Sequence, residues 1–310
     1  MRNRLRMSFW PAMALMWALL GCSKSLPPLA LTLHPGTTDQ YHVTIDMYDD
    51  MRRQGSFQTK WESHQILDLE LRVLPTEEDG RHRVAFAVSR AQLAVEAPGE
   101  YTERFDTKND AGEPTTTELA YLALLDKELT LLVDQEGRVV EMGGMEAVRA
   151  DLRRRVPDKQ LHAVEQALAA MYGAGFWGNL FESYWAPLAS AKGKSLDTWP
   201  SPGAFYQPAF GEIVYTQENV LGDGATNPAT VEFSGAIRAS EQAKDGRGRV
   251  PVNPVPFRLL SGTVKGRMLL DRRKGRLESL SRTIVLLIAA GEKRRSPQRR
   301  MTVKTHLERL

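Results

Sequence analysis

The sequence has one cysteine, Cys22, so no intramolecular disulfide forms and the fold must stand on its buried core. Recognisable catalytic and metal motifs are also missing. The six histidines, His34, His42, His64, His82, His162 and His306, are scattered, and there is no H-E-x-x-H, C-x-x-C or G-x-S-x-G. These absences lower the case for an enzyme without abolishing it, because catalytic groups also assemble from distant positions. The expectation is a non-catalytic protein with no cofactor and no metal.

Net charge is scarce as well. The chain carries 41 basic and 38 acidic residues. Arg2, Arg4 and Arg6 precede the first acid, so beyond them 38 basic residues face 38 acids. A balanced chain has no global field to draw it to nucleic acid. Long apolar runs are absent too. Residues 7–20, interrupted by Ser8 and Pro11, fall short of the ~20 needed to cross a bilayer.

What is present begins at that short run. A basic start followed by a brief apolar stretch is a secretory signal. It ends in Leu19-Leu20-Gly21-Cys22, which resembles the lipobox of bacterial lipoproteins. The resemblance implies cleavage before Cys22 and a lipid on its thiol. Residues 1–21 are then a signal, 22–30 a lipidated tether, and 31–310 a single domain. Ser23 stands where some envelope lipoproteins carry an inner-membrane-retention Asp. The implied address is the cell envelope outside the cytoplasm, and the outer membrane if the host is Gram-negative.

Beyond the tether, apolar residues recur with period two. Tyr41, Val43, Ile45 and Met47 form one such face, and Leu67, Leu69, Leu71 and Val73 another. Val84, Phe86 and Val88 repeat it, as do Leu129, Leu131 and Val133, and later Met301, Val303, Thr305 and Leu307. One apolar and one polar face indicate antiparallel strands. Acid-to-glycine segments at Asp79-Gly80, Asp134-Gln135-Glu136-Gly137 and 271–275 supply hairpin turns. About ten strands are expected, the last three forming a meander over 259–270, 276–290 and 299–310.

From 144 to 191 the period becomes helical. Met145 opens one helix and Pro157 a second, which carries Leu161, Val164, Leu168 and Met171. A third covers 176–184 and ends before Pro187. The fold class is therefore α+β: a large curved antiparallel sheet, half-barrel-like, with the helical segment on its apolar face.

Two stretches carry a further resemblance. Leu131-Leu132-Val133-Asp134-Gln135-Glu136-Gly137-Arg138-Val139 leads directly into Gly143-Gly144-Met145. Trp185-Ala186-Pro187-Leu188 is followed by Lys192-Gly193-Lys194-Ser195-Leu196-Asp197-Thr198-Trp199. Together with Arg104-Phe105-Asp106-Thr107, they resemble a family of bacterial secreted lipoproteins known only as a domain of unknown function. That family has no assigned catalytic residues. The strand–helix–strand order is also similar to envelope lipoprotein carriers of the half-barrel type, a likeness of architecture that confers no function.

The candidate site is the third helix. Phe176, Leu180 and Tyr184 form one row and Trp177, Phe181 and Trp185 the next, giving a broad aromatic face. Such a face either roofs a groove for a lipid tail or simply fills the core. Three other signals weigh less. Gly173, Gly175 and Gly178 match G-x-G-x-x-G but follow a helix rather than a strand. Asp106, Asn109, Asp110 and Glu113 are rich in oxygen but miss the calcium-loop register, with Lys108 and Thr117 at ligand positions. Residues 258–300 hold 13 Lys or Arg against three acids. Their dense clusters, Arg272-Arg273-Lys274 and Lys293-Arg294-Arg295, fall on successive turns at opposite ends of the meander, so they form no single patch. The leading expectation is an anchored lipoprotein binding an apolar ligand such as a lipid. The alternative is an anchored scaffold with a filled core that meets another envelope protein, and a hydrolase ranks third.

Overall fold

A computed structural model describes Leu29 and residues 32–97, 99, 101–109, 113–191, 197–207, 211–222, 226–238, 257–290 and 296–310. The signal, Cys22, most of the tether, Asp110 and the 293–295 cluster lie outside these residues. The described chain forms twelve strands and four helices in the order strands, helices, strands. The strands are β1 (Thr38–Arg53), β2 (Ser56–Val73), β3 (His82–Ala97), β4 (Tyr101–Asp106), β5 (Leu129–Val133), β6 (Val139–Gly143), β7 (Thr198–Gln207), β8 (Gly211–Leu221), β9 (Ala229–Ile237), β10 (Phe257–Asp271), β11 (Arg276–Ala290) and β12 (Gln298–Arg309). The helices are α1 (Thr116–Leu122), α2 (Met145–Arg155), α3 (Asp158–Tyr172) and α4 (Ala174–Ala191).

All the strands join one antiparallel sheet in the order β6-β5-β3-β2-β1-β12-β11-β10-β9-β8-β7, with β4 on the far half of β3. The alternation seen in the sequence fixes its faces. Val43, Leu67, Val84, Leu131, Ile284 and Leu307 are buried on the concave side. His42, Asp46, Asp68, Lys304 and His306 lie on the other face, where His42 pairs with Asp68 and His64 with Asp46 across β1 and β2. The β1–β2 hairpin turns at Gln54-Gly55, both at positive φ. This is the mirror-image turn whose twist suits long strands.

The meander is present as β10–β11–β12. The strand count exceeds ten because β4 and β6 are only six and five residues long. Two helical boundaries also differ from expectation. First, α1 is an additional helix, held by a reciprocal cap in which the Glu118 N–H donates to Thr115 Oγ1 and the Thr115 N–H to Glu118 Oε2. Second, α4 does not stop before Pro187 but runs to Ala191 with the proline inside it. Burial of Trp185, Leu188 and Ala191 outweighs the lost helical hydrogen bond. The Pro187 carbonyl accepts from Trp199 Nε1 at 2.9 Å, which ties this last turn to β7.

Ion pairs tie the two ends of β1 to β12 and to β11 beyond it. Asp39 meets Arg276 and Arg309, while Asp49 and Asp50 meet Arg299 and Arg300. Each is a buried carboxylate given a guanidinium partner, the condition under which such burial is tolerated.

Candidate functional site

Helix α4 is apolar because it is enclosed. Trp177 and Phe181 are 0% exposed, and Leu180, Tyr184 and Trp185 are buried with them. Phe176 is partly buried at the edge of the cluster. The rings contact one another and the sheet. Phe86 of β3 lies 4.6 Å from Trp177 and 5.4 Å from Phe181, and Phe181 stacks on Trp185 at 5.1 Å. Tyr172 and Tyr121 extend the chain of rings toward Phe105. The six residues singled out from sequence therefore do come together, as packed core. The space that Tyr184 and Trp185 line beside Leu33 and Leu188 is about 30 Å3, the share of one water molecule. Burial pushes the Tyr184 hydroxyl well above its ordinary pKa, with Tyr41 and Asp39 adding to the shift.

The opposite side of α4 is different. The sheet is an open one whose outermost strands, β6 and β7, have no strand partner on their outer sides among the described residues. Helix α4 lies along β7 and also touches β6 and β8, so it bridges the two edges. Glu182 Oε1 accepts the Val139 N–H of β6 at 2.6 Å. On the β7 side, Asn179 donates to the Ala204 carbonyl at 2.6 Å and accepts from Arg282 Nη2 at 3.3 Å, its amide oriented by these two partners. The helix thus satisfies with side chains what a missing strand would have satisfied with backbone. Pro200 and Pro202 in β7 contribute no N–H, which bars a further strand from pairing there.

Along this seam runs a groove of about 630 Å3. Its floor on α4 is Ala174, Glu182 and Ala186, spaced by multiples of four so that they share one face. Val139, Val140 and Met142 of β6 form one wall, and Pro202, Ala204 and Val214 the other. Val140 is 51% exposed, one of few large apolar side chains left open to solvent among the described residues. Asp134, Glu141 and Glu212 stand around the lining with Arg138, so the rim is acidic. The hairpin below the groove is held tightly: Gly137 has φ +77°, and a Cβ there would lie 2.6 Å from the Trp185 carbonyl carbon. A larger opening of about 920 Å3 over β7–β10 is lined by Trp199, Pro200, Val264 and Val285 together with Thr198, Thr216, Glu218 and Lys265, which put hydroxyls and charges on its walls.

The minor signals resolve simply. Asp106 is occupied by Arg90 at 2.6 Å, Gln92 at 2.6 Å and Asn109 at 2.9 Å. The Arg90 guanidinium holds its carboxyl far below the usual carboxylate range. Among the described residues, no group of three or more His, Cys, Asp or Glu is placed to hold a metal. Gly173 separates α3 from α4, and a Cβ on Gly175 would collide with the Tyr206 ring, so these glycines serve packing. No described helix is long and apolar enough to cross a membrane. The seam was not singled out from sequence. Its one legible signal is the small residues Ala174, Gly178 and Ala186 recurring at intervals of four and eight within an otherwise aromatic helix.

Residues 79–277 match the sequence model of a family of unknown function, DUF6263, and the chain belongs to that family. No curated protein matches it. Among solved structures, the chain is similar to lipovitellin, described for its lipid–protein interactions. The identity there is 9% and the TM-score 0.48, over 90% of this chain and 25% of that one. The chain thus spans about a quarter of lipovitellin. It is also similar to the translocator domain of the autotransporter NalP from Neisseria meningitidis, at 9% identity and TM-score 0.18 over 96% of each chain. At these scores neither likeness bears on ligand, partner or location.

Proposed function

We propose that this member of the DUF6263 family is a non-catalytic lipoprotein of the cell envelope, anchored through lipid on Cys22, that binds an acyl chain in the seam between β6 and β7. The observation that carries this reading is the combination of apolar walls, under a charged rim, with two blocked strand edges. A peptide strand binding there would need backbone donors and acceptors along its length. On the β7 side two prolines lack the N–H, and on the β6 side Glu182 already holds the Val139 N–H. An acyl chain asks for neither, only for water to leave Val140, Met142, Pro202 and Val214. The volume of about 630 Å3 lies within the ~300–1,000 Å3 usual for small-ligand sites. The filled aromatic core favours the second reading, an anchored scaffold that meets another envelope protein.

The two readings separate on uptake. The chain from Ser23 onward, exported without its cysteine, is titrated with a neutral fluorescent acyl ester. Saturable one-to-one uptake, reduced at least tenfold by Val140→Asp, supports the seam. Val140 is half exposed, so the variant should still unfold cooperatively, at a cost of no more than about 1 kcal/mol. No uptake by the wild type overturns the acyl reading and leaves the scaffold.

A further inference from the structure

Arg282 stands in the middle of β11 and is 3% exposed, facing the concave side between Leu280 and Ile284. In the sheet register it sits in one row with Phe233, Gly266, Thr305 and Ile45. Nη2 meets Asn179 at 3.3 Å, and the guanidinium also donates a hydrogen bond to the Tyr215 hydroxyl, where its charge and that bond pull down a tyrosine pKa that burial raises. Among the described residues, Nε and Nη1 find no hydrogen-bond partner. Among the described residues no carboxylate pairs with Arg282. The contrast with the ends of β11 and β12 is direct, since Arg276, Arg299, Arg300 and Arg309 each have an aspartate.

A guanidinium cannot shed its proton to escape burial. A fully buried cation without a counter-charge is strongly destabilising. Thr305 stands beside Arg282 on β12, and three strands along the same row Asn219 belongs to a neutral chain from Gln217 to Asn219 to Ser201. Asn179 also reaches Ala204 at the seam, so Arg282 lies one side chain beneath the groove.

We propose that Arg282 is the centre of an interior oxyanion site that takes a carboxylate. The inference rests on the unpartnered donors and stands whether or not the seam binds an acyl chain. The carboxylate comes either from a free small ion or from the head of an amphiphile.

The test is thermal unfolding of the chain from Ser23 onward at constant ionic strength, set with chloride. Acetate represents the free ion and oleate the head group, with oleyl alcohol as the uncharged control. Wild type should gain about 5 °C at a hundredfold excess over Kd with at least one carboxylate. A response to acetate assigns a free ion, and a response to oleate with none to acetate or oleyl alcohol assigns a head group. Arg282→Met, relieved of its uncompensated charge, should unfold at or above the wild-type temperature without probe and respond to neither carboxylate. If Arg282→Met does not fold, Arg282→Lys is read instead, with the response weakened at least tenfold. A wild type indifferent to both carboxylates overturns the proposal, as does a response that survives in the variant. So does an Arg282→Met that unfolds well below wild type while the wild type shows no carboxylate effect, since the arginine is then structural.

Discussion

Phe181→Ala distinguishes a filled core from a ligand-lined cavity on the helix face that the sequence makes conspicuous. Phe181 is 0% exposed, with rings of Trp177, Tyr184, Trp185 and Phe86 at 5.1–6.3 Å. These neighbours sit on a helix and a long strand and cannot all move inward, so truncation leaves a void. Loss of the ring's burial plus that void costs about 3–5 kcal/mol. With a urea dependence of about 3 kcal/mol/M for a chain of this size, the midpoint should fall by more than about 1 M. A residue facing empty volume would lose little by truncation, because its far side contacts nothing. A midpoint shift below about 0.3 M, with an unchanged slope, would refute the packing argument and reopen the aromatic face as a binding surface.

Three further outcomes follow from single sites. Gly137→Ala places a Cβ against the Trp185 carbonyl at positive φ; it should cost at least about 2 kcal/mol in urea unfolding, and a neutral effect would contradict the close approach. Asp106 titrates in the folded chain far below its unfolded value of ~3.9. Its stabilisation is therefore complete above pH ~4 and lost as pH falls from there through the folded value. Asp106→Asn should remove that part of the acid limb and lower neutral-pH stability by about 1–2 kcal/mol, and an acid limb identical to wild type would count against it. Tyr41, Tyr121, Tyr184 and Tyr215 all have raised folded pKa values, chiefly through burial. Stability is thus full below pH ~10 and falls as pH rises past it, by up to ~1.4 kcal/mol per unit for each tyrosine. Their tyrosinate absorbance should appear together with unfolding, and early titration of all eight tyrosines in the folded protein would show that these are not buried.

The strands were legible because one face of each is buried and the other wet, a condition that writes period two into Tyr41–Met47 and Leu67–Val73. The meander was legible for the same reason, with Asp271 to Gly275 marking its turn. Helix α1 carried its signal openly, as Thr115 and Glu118 at capping-box spacing, yet only seven residues follow, too few for periodicity to register. The end of α4 was misread because proline usually stops a helix, and the burial that overrides it depends on Trp199, which follows in the next strand. The aromatic rows were legible as a face but not as a filling, since cavity walls and cores draw on the same residue types. The seam was hidden for a different reason. It exists only because β6 and β7, more than 50 residues apart in sequence, become the two ends of one sheet. Arg282 was likewise invisible: in the sequence it is one of 13 basic residues between 258 and 300, and only the register of β11 turns it inward.

The central claim is that the seam holds an acyl chain, and the most direct measurement is the native mass of the chain from Ser23 onward, purified gently, beside a lipid analysis of its organic extract. The account predicts an added mass of one acyl-bearing species per chain, recovered in the extract and missing from Val140→Asp. A native mass equal to the bare polypeptide, with no uptake of added acyl ester, would contradict it.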